Sequence, residues 1–312
     1  MNSKKSGLLF LTITIIFVAI ELTLAYTPLG DSLDETALMI LSELAFMVPV
    51  AVFFVLCREP ASKAFAVKGV KISSLILCIP FTWTILPLTL LLNVFSMLFT
   101  DNRATKIFES LSGGGFFKMA LFAAVIAPIC EELTFRGIIF SGFRKNGSAL
   151  QAILISALLF GLFHMNINQA LYAFALGVFF GAVREVSGSV IPSIVCHMTV
   201  NGGSVLSMYL EKDQLMDKEV LKQSEALLKD PQTVSLLLAV FTVAAFIGVA
   251  FALCMLTLIA KKQNAVALLR GIIDNEKTGR GRVWGIPLIA GMILATGYMI
   301  FVYILELTLK KA

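Results

Sequence analysis

Charged residues are scarce in this chain. They make up 14% of its 312 residues, whereas hydrophobic residues make up 58%; a soluble domain carries about 25% charged residues. With a mean hydropathy of +0.90, the composition excludes an ordinary soluble domain and indicates a polytopic membrane protein. The net charge of +5 is no sign of nucleic-acid binding, because lysine and arginine in membrane proteins set the orientation of the helices.

Cysteine pairs are missing as well. The five cysteines are scattered through apolar segments without a CxxC pair, so neither a disulfide framework nor a zinc ribbon is predicted. Histidine is rarer still, since His164 and His197 are the only two in the sequence. Both lie in or beside apolar segments, where a polar side chain needs a specific reason to be present.

Nine apolar stretches have a length suited to membrane-spanning helices, which need about 20 residues. They are residues 8–26, 37–57, 74–99, 116–142, 149–165, 168–184, 188–208, 233–260 and 285–307. The first is long enough to span and no Ala-x-Ala-like cleavage pattern follows it, so we predict a helix rather than a signal peptide. The expected fold class is an all-α, polytopic transmembrane helix bundle.

Most basic residues fall on one side of the membrane if all nine stretches span it, with Lys310 and Lys311 at the outer C-terminal end as exceptions. Those on the common side are Lys4, Lys5, Arg58, Lys63, Lys68, Lys71, Arg144, Lys145, Arg184, Lys261, Lys262, Arg270, Lys277, Arg280 and Arg282. The opposite loops are acidic, as at Asp31 and Asp34, or mixed in charge. Because positive charge marks the cytoplasmic side, we expect a cytoplasmic N-terminus.

Two adjacent glutamates, Glu131 and Glu132, directly follow the apolar run 116–130. A charged side chain in a bilayer costs at least ~2.5 kcal/mol, so such residues are usually functional or paired. Residues four apart share a helix face, which places Glu132 to pair with Arg136 in a structural role. Glu131 points elsewhere, about 100° around the helix. An unpaired, buried carboxyl group is suited to act as a general base.

Two further motifs contain the histidines. Phe160 and His164 form an FxxxH run in which Phe160 is expected to pack beneath the imidazole, while His197 and Asn201 share a helix face four residues apart. A histidine and an amide aimed together are suited to stabilising an oxyanion. At about 1.5 Å per residue, Glu132, His164 and His197 lie roughly 18, 22 and 13 Å from the inner ends of their helices. All three depths fall within a hydrocarbon core of about 30 Å.

The runs EExxxR, FxxxH and HxxxN, in this order, resemble the CAAX protease and bacteriocin-processing (CPBP, or Abi) family of intramembrane proteases. The resemblance covers residues 116–208 and implies a four-helix catalytic core of the CAAX-protease type. It implies that Glu131 and His164 activate a water, and that His197 and Asn201 form an oxyanion site. The implied activity is that of a glutamic endopeptidase without a metal cofactor, acting on a peptide or protein substrate.

We expect a single membrane domain, 1–312. Its parts are three N-terminal helices (1–115), the catalytic core (116–208), an outer loop (209–232) and two C-terminal helices (233–312). The expected location is the plasma membrane of a prokaryote, with a cavity open toward the inner side. Expected partners are membrane lipid and a peptide or protein substrate, with lipidated proteins and leader peptides as candidates and no nucleic acid.

Alternatives to this interpretation remain open at the level of sequence. Zinc could be held by Glu131, His164 and His197 with a water in the fourth position. A non-catalytic protein of the same fold could bind a peptide, as an immunity or scaffold protein does, and intramembrane Glu and His also occur in transporters. Glu21 and Glu43, inside the first two helices, are candidates for lining a cavity or contacting other helices.

Other intramembrane protease chemistries lack their motifs. Methionine follows both His164 and His197, so neither belongs to a zincin HExxH motif. All seven aspartates fall in predicted loops, which excludes an intramembrane aspartate pair. None of the Ser-Gly pairs carries the glycine of a rhomboid-type GxSG motif.

Overall fold

A computed structural model describes residues 2–58, 60–100, 115–211, 219–220, 223, 226–227, 230–276 and 281–309. These residues form an all-helical bundle, which confirms the predicted fold class. Most of the predicted outer loop 209–232 lies outside the described residues.

Twelve helices make up the described part of the chain. They are α1 (Ser3–Tyr26), α2 (Leu29–Ser32), α3 (Glu35–Cys57), α4 (Ala61–Ala64), α5 (Ile72–Met97), α6 (115–146), α7 (Ala149–Phe163), α8 (Ile167–Ser187), α9 (Ile191–Leu210), α10 (Pro231–Lys262), α11 (Val266–Ile273) and α12 (Ile286–Leu309). Each of the nine predicted stretches corresponds to one of these helices.

Six helices in the described residues are long and apolar enough to cross a membrane: α1, α3, α5, α8, α10 and α12. The chain is therefore an integral, multi-pass membrane protein. The other three predicted spans are α6, α7 and α9, which contain the sequence motifs. α7 has only 15 residues, while α9 carries several polar residues on an otherwise apolar helix.

Helix α6 contains two π-helical segments, Ala120–Ile126 and Leu133–Ile139, which flank a short α-helical segment, Ala127–Glu132. π-Helical turns are rare and occur mostly at functional sites. The two glutamates thus lie between two stretches in which the helical repeat differs from 3.6 residues per turn. This change of repeat alters which residues face the neighbouring helices.

A tight turn between α7 and α8 places His164. Ser148 begins α7 with a capping box to Gln151, and Asn166 caps the start of α8 by accepting a hydrogen bond from the Gln169 backbone N–H. His164 is the residue directly after α7, and Met165 takes a left-handed backbone conformation with φ of 51°. The chain therefore reverses within three residues, and His164 sits at the turn.

Helix α3 packs on this core through aromatic side chains. The ring of Phe46 lies 5.9 Å from that of Phe135 in α6 and 4.8 Å from that of Phe163 in α7, measured between centroids. Phe46 and Phe135 are almost fully buried. Aromatic pairs at such distances add about 0.5–1.5 kcal/mol beyond simple burial, so α3 is a fixed wall of the core.

Candidate active site

Helices α6, α7, α8 and α9 enclose a cavity of about 250 Å³. Its wall includes Glu131, His164, His197 and Asn201, the four residues predicted to be catalytic, together with Phe160. They come from three different helices and the turn after α7, so the fold brings the three sequence motifs to one place.

The two adjacent glutamates have different environments. Glu131 faces the cavity with 21% of its side chain exposed, and its Oε2 lies 3.7 Å from Nε2 of His197. Glu132 is fully buried, and its Oε1 accepts a hydrogen bond from Nη1 of Arg136 at 2.8 Å. The ion pair predicted from the four-residue spacing is therefore present, and it leaves Glu131 as the carboxyl group on the cavity wall.

His197 lies between the two glutamates. Its Nδ1–H donates to Oε1 of Glu132 at 3.1 Å. The Glu132 carboxylate accepts from both Arg136 and His197, which fixes the proton of neutral His197 on Nδ1. The other ring nitrogen, Nε2, faces Glu131 and the cavity.

His164 is held by the backbone of its own helix. Its Nδ1–H donates to the Phe160 carbonyl oxygen at 2.8 Å, and the two rings meet edge to face with centroids 4.9 Å apart. A carbonyl can only accept, so the proton is on Nδ1 and Nε2 of the neutral ring carries the lone pair. Phe160 thus packs beneath His164 as predicted.

Arg136 is enclosed by aromatic rings. Its guanidinium carbon lies 4.3 Å from the ring centroid of Phe160 and 5.7 Å from that of Phe180, within the range of cation–π interactions. A Cβ at Gly177 would come within 2.9 Å of Nη2 of Arg136 and of Ala157. Gly177 is therefore needed so that α8 leaves space for the buried guanidinium group.

Asn201 connects α9 to α6. Its Nδ2 donates to the carbonyl oxygen of Ala123 at 2.9 Å. Ala123 lies in the first π-helical segment of α6. One N–H of the amide is used in this contact, and the amide group keeps a second N–H and its oxygen.

Glu43 and Glu21, which lie outside the three motifs, were expected to contact other helices or to line a cavity, and the structure places one in each setting. Glu43 of α3 is half-buried, forms a hydrogen bond with the Cys130 thiol and interacts electrostatically with Glu131. Glu21 lines a separate, largely apolar cavity of about 410 Å³ formed by α1, α2 and α3. The sequence signal for both was a glutamate inside an apolar helix, but nothing in it indicated that Glu43 would lie near Glu131.

A zinc ion held by Glu131, His164 and His197 would need these three side chains grouped around one point. Nowhere in the described ranges are three or more His, Cys, Asp or Glu side chains grouped so that they could hold a metal ion. The side chains in their present arrangement do not fit a zinc ion, and we derive no step through one.

These features define a class: a multi-pass helical membrane protein with a glutamate and two histidines facing an internal cavity. Residues 113–203 match the family model "Type II CAAX prenyl endopeptidase Rce1-like". Over 83 residues, 27% of the chain, the sequence is 29% identical to "Putative membrane peptidase YdiL" of Bacillus subtilis (strain 168), and this match spans 34% of that protein's length. No solved structure matches the chain. The matches confirm the resemblance given by the motifs: residues 113–203 are similar to the CAAX protease (CPBP) family.

Proposed function

We propose that this protein is an intramembrane endopeptidase that hydrolyses a peptide bond of a membrane-associated or peptide substrate. The observation that carries the proposal is the different environment of the two adjacent glutamates. Glu132 is neutralised by Arg136, whereas Glu131 shares the wall of one cavity with His164, His197 and Asn201. The match to the CAAX protease family supports the same reaction class.

Water activation is assigned to Glu131 and His164. Peptide hydrolysis needs a water that loses a proton as it attacks the carbonyl carbon. The Glu131 carboxylate can accept that proton, and Nε2 of His164 presents a lone pair because its Nδ1–H is bonded to the Phe160 carbonyl. The two groups can therefore orient one water from two sides. The proton then passes to the leaving amine.

Stabilisation of the negatively charged oxygen of the tetrahedral intermediate is assigned to His197 and Asn201. Asn201 can donate its second amide N–H, since the first is bonded to Ala123. His197 can donate from Nε2 only as an imidazolium, because its Nδ1–H is bonded to Glu132. Its two ring nitrogens lie 3.7 Å from Oε2 of Glu131 and 3.1 Å from Oε1 of Glu132. Donors fixed before the reaction stabilise the developing charge without reorganisation.

The test is cleavage of a peptide library by the purified protein in lipid nanodiscs. Glu131→Gln and His164→Ala should abolish cleavage. Glu276→Gln changes an exposed glutamate that does not line the cavity and should leave cleavage intact. Glu131→Gln keeps the size and the hydrogen-bonding shape of the side chain and removes only the charge and basicity. Full cleavage by Glu131→Gln would refute the mechanism.

Metal content and peptide binding separate the alternatives in the same samples. We expect cleavage to resist chelators and the purified protein to carry no stoichiometric metal. A stoichiometric metal that is lost in His164→Ala would establish the zinc alternative instead. Peptides that bind without being cut by the parent protein would identify a non-catalytic binding protein.

A further inference from the structure

The cavity extends from the catalytic residues toward one end of the core. Its outermost wall residues are Met119 near the start of α6, Gln169 and Tyr172 in the first two turns of α8, and Val205 and Met208 in the last two turns of α9. α6 and α8 begin at the end of the bundle where α9 finishes. We call this the open end.

The opposite end of the core is packed shut. Phe140, Phe143 and Phe180 are completely buried there. In the last turns of the same two helices, Nε of Arg144 lies 2.8 Å from Oε1 of Glu185. This ion pair connects the end of α6 to the end of α8. None of these residues lines the cavity. We call this the closed end.

Arg184 adds to the seal at the closed end. Its Nη2 donates to Oγ of Ser141 at 3.1 Å, and its guanidinium carbon lies 4.8 Å from the ring centroid of Phe140. The last turns of α6 and α8 are therefore joined both by an ion pair and by this contact. Water or a peptide would have to break them to reach Glu131 from this side.

The N-terminus lies at the closed end. The Ser3 backbone N–H donates to Oδ1 of Asn146 at 3.1 Å, and the Ser3 hydroxyl donates to the Arg282 carbonyl at 2.6 Å. The start of α1, the end of α6 and the segment before α12 therefore meet there. This is also where the basic residues of the described loops gather, while Asp31 and Asp34 lie between α1 and α3 at the other end.

We propose that the cavity opens to the non-cytoplasmic side of the membrane, so that both water and substrate reach Glu131 from outside the cell. The positive-inside rule places the basic, closed end in the cytoplasm. The sequence-based expectations of a cytoplasmic N-terminus and an inward-opening cavity cannot both hold in this structure. The distribution of basic residues favours a cytoplasmic N-terminus, and the cavity then opens away from the cytoplasm.

The wall of the open end also indicates the chemistry of the substrate, a point that rests on the proposed endopeptidase function. Met119, Val205 and Met208 make its outer part apolar, and methionine adapts to side chains of different shape. A volume of about 250 Å³ is below the roughly 300–1,000 Å³ of drug-sized pockets. The site therefore suits a short, extended, apolar peptide segment that is exported or exposed on the outer face.

Cysteine labelling tests the sidedness directly. The background is the chain with Cys57 and Cys254 replaced by serine; Cys78 and Cys196 are buried, and the partly buried Cys130, next to Glu131, is kept. Ser204→Cys places a thiol on the cavity wall at the open end, and Ser62→Cys places one in α4, near the closed-end turn at Ser189 and Val190. A membrane-impermeant maleimide is applied to spheroplasts and to inside-out vesicles, and the background protein measures labelling of the remaining cysteines.

We expect Ser204→Cys to be labelled in spheroplasts but not in inside-out vesicles. We expect Ser62→Cys to be labelled in inside-out vesicles but not in spheroplasts. Labelling of Ser204→Cys only in inside-out vesicles, of both variants from one side, or of Ser204→Cys from neither side would overturn the proposal. The labelling requires no cleavage, so its failure leaves the endopeptidase proposal standing. Conversely, an inactive protein with the expected labelling would refute only the endopeptidase proposal.

A second measurement connects sidedness to the reaction. Cleavage of a peptide by Ser204→Cys in spheroplasts is compared before and after labelling with the bulky maleimide. We expect loss of cleavage after labelling, with no change when Ser62→Cys is treated in inside-out vesicles and then assayed. Cleavage that survives complete labelling of Ser204→Cys would show that substrate enters by another route.

Discussion

The open and closed ends of the four-helix core are built from the same helices but use their polar residues differently. At the closed end and in the layer beneath it, charged groups are paired, as in Arg144 with Glu185 and Arg136 with Glu132. On the cavity wall, Glu131 keeps 21% of its side chain exposed. One end of the core therefore supplies rigidity and the other supplies reactive groups, and the two adjacent glutamates lie at the boundary between them. Substitutions should therefore separate activity from stability.

Glu131→Gln should have the largest effect, and on activity alone. Removal of a general base costs about 10²–10⁴-fold in rate, so kcat/KM for peptide cleavage should fall by that factor. The amide fits the same space on the cavity wall, so the thermal unfolding midpoint should stay near that of the parent. A large loss of stability in Glu131→Gln would show that Glu131 is a structural residue and not only a reactive group on the cavity wall.

Arg136→Ala should chiefly reduce stability. It leaves the buried Glu132 carboxylate without its ion-pair partner, and breaking a buried pair from one side costs about 3–5 kcal/mol. The free energy of unfolding in bicelles is the measurement. The double variant Glu132→Gln/Arg136→Met removes both charges and should recover much of the loss. Equal losses in the single and double variants would contradict a buried ion pair.

The double variant should still cleave poorly even where it folds well. His197 loses the Glu132 carboxylate that accepts its Nδ1–H at 3.1 Å, and its ring is then held less firmly. A normal cleavage rate in a stable Glu132→Gln/Arg136→Met protein would show that Glu132 has no part in positioning His197.

Gly177→Ala should destabilise the protein by about 1–3 kcal/mol, the usual cost of overpacking. The added methyl group would come within 2.9 Å of Nη2 of Arg136 and of Ala157. Gly203→Ala is the matched control, because a Cβ there meets no atom within 4 Å. Both variants gain the general stabilisation of a helix by alanine over glycine, so the difference between their unfolding free energies isolates the effect of packing. Similar values for both variants would show that the packing around Arg136 is loose.

The sequence predicted those parts of the site that depend on local spacing. The pair of Glu132 with Arg136 follows from four-residue periodicity, and the contact of Phe160 with His164 follows from the same rule. The bonds from His197 to Glu132 and from Asn201 to Ala123 join different helices. No spacing within one helix predicts such contacts.

Two further features depend on geometry that hydrophobic patterns do not contain. The π-helical segments of α6 shift which residues face α9, whereas sequence periodicity assumes 3.6 residues per turn. The direction in which the cavity opens depends on which end of the core is packed shut. That packing involves Phe140 and Phe180, which are apolar residues like many others in the sequence.

Arg144→Ala should have the smallest effect and thereby test whether the closed end is sealed by packing or by charge. Its side chain is 24% exposed, and partly exposed ion pairs contribute at most about 1 kcal/mol. Since Phe140 and Phe143 stay buried beneath it, we expect a small drop in unfolding free energy and an unchanged cleavage rate. The informative readout is labelling of Ser204→Cys in the Arg144→Ala background. Labelling from inside-out vesicles would show that the ion pair, rather than the aromatic layer, keeps the cytoplasmic side closed.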